Sequence, residues 1–470
     1  MTRTLLLAAS TVALGACAHA PAPSPTTDMV SVPATLSMAP ADAAASEEQL
    51  AALLPDDPGF DMLVARTLDD GPDLAAAMAR IDVARAGAAR ARAERLPSIG
   101  YDAGVEARRS NPAQFGADAP AAIAFDTEQV AYAANLSARW DADLFGRLKA
   151  GQRAAAYRLD AATADAAAVR NALVAEIAGA VVDWRAIDAQ GEALAADARA
   201  AEELGRLAKV REEAGLAPGI QSERAAAQAA AAKTRIAALA GQQALILGRL
   251  VALTALPADE VRTTLGQEGR TLQAPPPPAL PSTLLARRPD VAAAAARLSA
   301  ADAEVASAAA ARFPRLDLSA GIGLLAFALG DLFDSDSIVG SLAAGIAGPL
   351  LDFGRIDAEI DAAEAQTRIA FQDYRRTVFT ALGDAEAAYG LVEAADTEAA
   401  AARLQADAST RAARLTRMRL DAGLADLSAA LEAQRLADAG EAEAAAATGR
   451  ASRARIRLWQ ALGGSPLSTD

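Results

Sequence analysis

The sequence predicts a mainly α-helical protein with a transmembrane β-barrel portion, built from a helix–hairpin–long helix–helix unit that occurs twice. Three observations predict the long helices and the duplication, and the barrel portion is inferred from the strands described below. The 470 residues are 53% hydrophobic but only 4% aromatic, because alanine, a strong helix former, is abundant. Proline is absent from residues 121–217 and 350–465, which leaves room for very long helices. Short motifs also recur in the same order in the two halves of the chain.

The duplication is read from four pairs of motifs. Two pairs are separated by 217 positions: Pro72-Asp73-Leu74 with Pro289-Asp290-Val291, and Arg95-Leu96-Pro97 with Arg312-Phe313-Pro314. Two pairs are separated by 208 positions: Phe145-Gly146-Arg147 with Phe353-Gly354-Arg355, and Ala214-Gly215-Leu216 with Ala422-Gly423-Leu424. The first copy therefore holds extra residues before Phe145, and residues 110–120 have the composition of a loop.

The N-terminus predicts a signal peptide over residues 1–16. A positive start and the apolar run 5–14 precede Leu14-Gly15-Ala16-Cys17, which resembles a bacterial lipobox. The resemblance implies cleavage before Cys17 and acylation of that residue, with sorting to the outer membrane. The alternative is an ordinary signal peptide followed by a chance cysteine. Residues 17–46, rich in Pro, Ala, Ser and Thr, are predicted to form a lipidated tether.

The composition excludes most catalytic machinery. Cys17 is the only cysteine and His19 the only histidine, so one chain cannot build a Ser-His-Asp triad, a Cys-His pair, a zinc cluster or a disulfide. Chemistry by carboxylates alone stays open. The formal net charge of −15 does not suggest a nucleic-acid partner. We expect no enzymatic activity and no cofactor.

Within each copy, a segment in which apolar residues recur at every second position precedes a segment in which they recur about every 3.6 positions. Strands are predicted at about 98–109, 128–141, 315–326 and 338–349, where apolar and polar residues alternate. Long helices are predicted at about 146–213, 220–254, 354–421 and 426–461, with apolar residues spaced by three or four. A soluble hairpin could explain the alternation. If the strands instead span a membrane, open edges are excluded and several chains must share one barrel; three chains would supply twelve strands.

The predicted organisation follows from these elements. The first repeat occupies 47–256, a Pro-rich linker and equatorial segment 257–286, the second repeat 287–463, and a C-terminal tail 464–470.

Together these features resemble the TolC/OprM-like outer-membrane efflux proteins, especially the lipoprotein branch that includes NodT. The resemblance rests on the lipobox, the two copies, the Arg-x-Pro motifs at 95–97 and 312–314, residues 349–355, and the Ala-Gly-Leu turns. It implies a homotrimer with a twelve-stranded barrel in the outer membrane, continued by a periplasmic α-barrel and a mixed equatorial girdle. It also implies a passive exit duct for small molecules, with a periplasmic membrane-fusion adaptor and an inner-membrane, RND-type transporter as partners.

The resemblance also assigns candidate residues. Besides Cys17 for the lipid, it implies adaptor-docking tips at Gly215, Leu216, Gly423 and Leu424. Charge spacing near the second tip suggests a periplasmic gate formed by Arg419, Asp421, Asp426 and Glu432. Three acidic residues are expected to face the barrel lumen: Asp102, Glu106 and Asp317.

Simpler explanations of these residues stay open. The glycines could form plain helix-hairpin turns, and the charges could lie on a solvated helix face. Two other functions also stay open: the exit duct of a type I protein-secretion system, and a lipid-anchored coiled-coil scaffold without a pore.

Overall fold

A computed structural model describes residues 25–41, 43–109, 128–216, 218–267, 269 and 274–464. The predicted signal peptide, Cys17, the loop at 110–120 and residues 465–470 lie outside this part of the chain. The described residues belong to two compact units. One consists of residues 82–161 and 295–372 with the N-terminal residues to 29, and the other consists of 30–81, 162–294 and 373 onward.

The first half of the chain contains these elements in order: α1 (Glu47–Ala51), α2 (Pro58–Asp70), α3 (Pro72–Ala93), β1 (Ser98–Arg109), β2 (Glu128–Asp141), α4 (Arg147–Glu213), α5 (Ile220–Thr254) and α6 (Ala258–Leu265). The second half contains α7 (Pro281–Arg287), α8 (Pro289–Ala310), β3 (Arg315–Ala326), β4 (Ile338–Ala347), α9 (Arg355–Asp421) and α10 (Leu427–Ala461). The predicted duplicated unit is present, because α3 through α5 match α8 through α10.

Most corresponding elements have equal lengths in the two halves, and the second strand of each hairpin is the exception. Helices α4 and α9 each contain 67 residues, and α5 and α10 each contain 35. Strands β1 and β3 each contain 12. Strand β4 contains 10 residues against 14 in β2, and it ends at Ala347, two residues before the predicted end. The absence of interior proline in either copy allows helices of this length, and the duplication accounts for their equality.

The four strands form one antiparallel sheet in the order β1-β2-β3-β4. Directly opposed residues lie on the same face of a sheet, so the register divides the side chains into two sets. One face is apolar and includes Ile99, Tyr101, Val105, Val130, Tyr132, Leu136, Trp140, Leu318, Ile322, Leu342 and Ile346. The other face is mainly polar or small, and its large apolar residues are Leu325 and Val339. This division suits a sheet with lipid on one side and water on the other.

Each strand-to-helix junction is capped by an aspartate. The carboxylate of Asp143 accepts hydrogen bonds from the backbone N–H groups of Leu148 and Lys149, both at 2.8 Å. The carboxylate of Asp352 accepts from Gly354 (3.2 Å) and Ile356 (3.0 Å). These bonds satisfy N–H groups at a helix start that have no partner within the helix. The Asp-Phe-Gly of residues 352–354 is therefore a turn and helix cap.

The largest apolar core lies in the helical unit and joins segments that are far apart in sequence. It combines residues of α2, α4, α5, α6, α9 and α10, and Trp459 is fully buried within it. On α9 the apolar residues spaced by three or four are buried, as predicted; they include Val378, Ala381, Ala385 and Val392. The small alanines allow helix backbones to approach closely, which is how a chain poor in aromatic residues packs a core.

The last part of the tether predicted over residues 17–46 is packed against the helical unit. The backbone N–H groups of Ser37 and Met38 donate to the carboxylate of Glu386 on α9, at 2.6 and 2.9 Å. Leu36 and Ala45 are buried in the large core. A segment without apolar periodicity can still dock when a side chain accepts its backbone donors.

Helix α5 is long and apolar enough to cross a membrane by length and composition, with a mean hydropathy of 1.6 over 18 residues. The sequence predicts a long helix over these same residues, 220–254, from the spacing of its apolar residues by three or four. Ala225, Ala229 and Ala232 are buried against neighbouring helices. We therefore interpret α5 as a coiled-coil helix.

Candidate functional site

The two predicted helix tips have the same backbone geometry. At the first, the Leu216 N–H donates to the Arg211 carbonyl (2.7 Å) and the Gly215 N–H to the Glu212 carbonyl (2.9 Å). This pair of bonds is the Schellman motif, which ends a helix at a residue in the left-handed conformation. Gly215 has φ of +70°, and Gly423 at the second tip has φ of +72° with the same two bonds. Both turns therefore favour glycine.

Each tip exposes one leucine. The exposed fraction of the side chain is 74% for Leu216 and 70% for Leu424. The Schellman turn fixes the backbone beneath each leucine, so these side chains are presented rather than tucked back on their own helices. A large apolar side chain held out from a rigid turn is a suitable contact for a partner protein.

The tips differ just after the leucine, where the next helix begins. Asp426 caps α10, because its carboxylate accepts from the Ala429 N–H at 2.7 Å. This bond holds the pKa of Asp426 below its usual value. Helix α5 has no side-chain cap at Gly219; instead the Ser222 hydroxyl donates to the Glu212 carboxylate at 2.8 Å. The Asp426 carboxylate thus has a structural task in addition to any role in gating.

The four gate candidates do not form one cluster. Glu432 pairs with Arg435 on the same helix at 2.6 Å, and this guanidinium lowers the pKa of Glu432. Asp421 contacts Arg417, one helical turn earlier, at 3.3 Å. Arg419 is exposed.

The ionic contact between the two hairpins was missed by sequence reasoning. Arg417 on α9 also reaches Glu203 on α4, with 3.3 Å between Nη2 and Oε1. Because both partners are partly exposed, the pair contributes little to stability. It is well suited to be broken and remade. Nothing in the spacing along one helix signals this contact, because its partners lie 214 positions apart.

A second feature missed by the sequence is a layer of buried acids above the tips. The Gln228 amide donates to Asp197 at 2.7 Å, and the Gln434 amide donates to Asp438 at 2.7 Å. Asp197 and Asp438 are only 3% and 8% exposed. Burial, together with the charges of Asp197 and Glu441, raises the pKa of Asp438 to about 6. The alanine-rich coiled coil thus contains a buried carboxyl group, that of Asp438, with a pKa of about 6.

The Asp438 layer predicts a pH-dependent stability. The folded chain keeps the Asp438 proton up to about pH 6, whereas an unfolded chain loses it near 3.8. This contribution to stability is therefore complete at low pH and is lost as the pH rises through 6. We expect Asp438→Asn to remove that part of the pH dependence and to raise the unfolding free energy at pH 7 by about 1–3 kcal/mol. Thermal unfolding in detergent at pH 5 and 7.5 measures both effects.

The matched control for that experiment is Asp361→Asn, an exposed acid on α9. It should leave the pH dependence unchanged. If Asp438→Asn keeps the pH dependence of the parent chain, Asp438 is not the group that titrates.

The predicted lumen residues share the polar face of the sheet. Asp102 accepts a hydrogen bond from the Asn135 amide at 2.9 Å, and Asn135 lies opposite Gly323 on β3, the strand of Asp317. Glu106 contacts Arg108 at 3.4 Å. The same face also carries Arg139, Arg315 and Asp141. The face is therefore charged in both signs and less acidic than the three carboxylates alone suggest.

The sequence matches the family described as outer membrane efflux protein over residues 63–256 and 280–464. The chain belongs to this family. The two matched segments cover both halves of the chain, in agreement with the internal duplication. The resemblance inferred from the sequence motifs is confirmed.

Characterised relatives cover most of the chain. The pyoverdine export outer membrane protein OpmQ of Pseudomonas aeruginosa is 30% identical over 411 residues, which is 87% of this chain and 85% of the relative. The toluene efflux pump outer membrane protein TtgF of Pseudomonas putida is 29% identical over 414 residues, 87% of this chain and 84% of the relative.

Solved structures share the fold. The outer-membrane channel OprN has a TM-score of 0.83 at 24% identity and covers 94% of this chain and 99% of its own. The outer membrane protein VceC of Vibrio cholerae has a TM-score of 0.78 at 25% identity, covering 90% and 99%. This protein is therefore an efflux channel component of the outer membrane.

Proposed function

We propose that this chain is the exit duct of a tripartite efflux pump. Three copies form one channel, which passively releases small molecules delivered by a periplasmic adaptor and an RND-type inner-membrane transporter. The observation that carries the proposal is the construction of each half: two strands with opposite apolar and polar faces are joined to a helix of 67 residues. A duct needs both parts, one to cross the membrane and one to reach inward.

The sheet supports a shared barrel. Four strands with an apolar face cannot close around a channel, and an unpaired strand edge is too costly in lipid. Three chains supply twelve strands without an open edge. The apolar face carries Tyr101, Tyr132 and Trp140, side chains that are typical of membrane interfaces.

The long helices support a helical tube formed by several chains. A helix of 67 residues is roughly 100 Å long at 1.5 Å per residue. In the most apolar 18-residue stretch of α5, only 11% of the residues are buried within one chain. The Leu245 side chain is 77% exposed. Such apolar surface is expected to be covered by neighbouring copies.

Membrane attachment has a second source in this proposal. The Leu-Gly-Ala-Cys sequence at residues 14–17 supports acylation of Cys17, which would anchor each chain in the inner leaflet of the outer membrane. The anchor and the barrel are compatible, because residues 18–35 leave enough chain between them.

In this proposal the tips meet the adaptor, and Leu216 and Leu424 are its principal contacts. Asp421, Asp426, Glu432 and Arg419 remain candidates for a gate, and the Arg417–Glu203 pair joins them as an ionic contact between the hairpins. An adaptor that draws the hairpins apart would have to break this pair, at little cost in free energy.

The tips provide the experimental test. We expect the double variant Leu216→Asp and Leu424→Asp to lose adaptor cross-linking in cells and to restore sensitivity to exported compounds. The physical reason is that a carboxylate cannot be buried without a partner in the apolar contact. Leu404→Asp is the matched control, because Leu404 is also 70% exposed but lies within α9. Normal cross-linking and export by the tip variant would contradict the docking proposal.

A further inference from the structure

The helical unit contains a cavity of about 860 Å³ between its four long helices. Every residue that lines the cavity belongs to α4, α5, α9 or α10, and all of them lie in the same compact unit. The tip leucines, the gate candidates and the sheet contribute no residue to it. A cavity of this volume can hold a drug-sized molecule.

The cavity has an apolar wall and a cationic wall. Helices α5 and α9 contribute Leu245 and Leu391 to the apolar wall. Helix α10 contributes Arg450, Arg453 and Arg457, which are spaced by three and four positions and so lie on one face of that helix. An apolar surface with a few convergent polar groups is typical of a small-molecule site.

Small residues position the cationic wall against α4. A Cβ atom at Gly179 on α4 would overlap the Nη1 atom of Arg453, so the guanidinium can lie there only because residue 179 has no side chain. A Cβ atom at Gly449 on α10 would lie 2.5 Å from the Cβ atom of Ala186 on α4. Helices α4 and α10 therefore approach closely, and the cavity lies beside this contact.

The first two arginines differ in how completely their charges are neutralised. Arg450 pairs with two glutamates, at 2.9 and 2.6 Å. Arg453 has one carboxylate partner, with 3.2 Å between its Nη1 and Oδ2 of Asp183. This Nη1 atom is buried and makes no hydrogen bond. A buried cationic group with incomplete pairing favours a further anion nearby.

Arg457 is exposed, and it has no ion pair within the residues that the structure describes. The internal duplication accounts for this. The counterpart of Arg457, 208 positions earlier, is Arg249, which pairs with Glu176. The counterpart of Glu176 is Asp384, but that carboxylate contacts Arg288 at 3.2 Å. The second half of the chain thus retains the arginine, while the equivalent carboxylate pairs elsewhere.

We propose that this cavity binds an amphipathic organic anion, that is, a molecule with an apolar body and one anionic group. The apolar body packs against Leu245 and Leu391, and the anionic group pairs with Arg457, beside Arg453. The site lies within one chain, so it does not depend on the proposed multichain channel. A neighbouring copy that covers Leu245 would close one side of it.

The charges that line the cavity support an anion rather than a cation. Two acids, Asp183 and Glu398, also line it, but each is already paired with an arginine. The charge of Arg457 is therefore in excess. An ion pair formed in this partly enclosed space is less screened than one in water, so an anion there would be bound more strongly than at an open surface.

The test is titration of the purified full-length protein, in an uncharged detergent, with anilinonaphthalene sulfonate, a fluorescent anion with an aromatic body. We expect saturable binding to the parent chain. Binding should weaken about tenfold or more in Arg457→Gln, the usual effect of losing a hydrogen bond to a charged group. Arg457→Lys keeps the charge and should retain most of the affinity. Arg414→Gln, which removes an exposed arginine from α9, is the matched control and should bind like the parent.

The uncharged analogue phenylnaphthylamine tests the apolar wall separately. We expect Leu245→Gln to weaken binding of both probes, and Arg457→Gln to weaken binding of the sulfonate alone. The proposal is overturned by equal affinity of the parent for both probes, by sulfonate binding that is unchanged in either variant, or by no saturable binding, as expected if a neighbouring copy fills the cavity. Native electrophoresis of the same samples separates this result from the proposed function: trimers that do not bind reject only the site, whereas a monomer that binds rejects only the channel.

Discussion

Replacing Asp57 with alanine is expected to destabilise the helical unit by about 3–5 kcal/mol, the usual cost of removing one partner from a buried ion pair. Asp57 is 1% exposed, and its carboxylate accepts from Arg185 Nε at 2.9 Å. It also caps α2 through the backbone N–H groups of Gly59 (2.8 Å) and Phe60 (3.2 Å). One side chain therefore satisfies donors from two elements at once.

The expected cost is large because Arg185 would stay buried without its counter-ion. Its side chain is 17% exposed, and its Nη1 already donates to the Leu265 carbonyl at 2.6 Å, so it connects α4 to α6. Losing Asp57 would leave this guanidinium with a carbonyl alone. A shift of the unfolding midpoint in detergent, followed by circular dichroism at the helical band, measures the effect.

The neighbouring carboxylate provides the control. Asp56 is exposed, and Asp56→Ala should change the unfolding free energy by less than about 0.5 kcal/mol. Equal midpoints for Asp57→Ala and the parent chain would show that the Asp57–Arg185 pair does not hold α2 and α6 to the long helix.

The second large effect is expected on the apolar face of β4. Leu342→Arg should abolish assembly in the outer membrane, because an arginine facing lipid near the middle of the bilayer costs about 2–4 kcal/mol in each chain. The Leu342 side chain is 86% exposed in one chain and lies near the centre of the strand. The cost is incurred in every copy that shares the barrel.

Ser341→Arg is the matched control, since it introduces the same residue one position earlier on the polar face. It should assemble normally and shift the ion selectivity of the channel toward anions. Heat-modifiable oligomers on gels report assembly. Normal assembly of Leu342→Arg together with failure of Ser341→Arg would show that the two faces have been assigned the wrong way round.

The sequence predicts features that depend on neighbouring residues better than contacts between residues far apart in the chain. The long helices and the strands follow from proline-free stretches and from alternation, which are properties of neighbouring residues. The tip turns follow from a single glycine in each copy, because only a left-handed residue ends the helix in that way. The duplication then supplies the equivalence between the halves.

The contacts that local patterns could not predict are those between distant side chains. Asp57 with Arg185, Glu203 with Arg417, and the Asp197–Asp438 layer each join residues that lie on different helices. The sequence identified Asp426 and Glu432 as charges near the tip. It did not assign the first to a helix cap or the second to an ion pair with Arg435, and the structure supplies both contacts.

The most direct test of the central claim, that this chain forms an outer-membrane duct, is single-channel recording in planar bilayers with the purified full-length protein. We expect discrete conductance steps from trimers of the parent chain and of Ser341→Arg, with a more anion-selective current from the variant, and no steps from Leu342→Arg. A parent chain that purifies as a monomer and gives no conductance steps would contradict the claim.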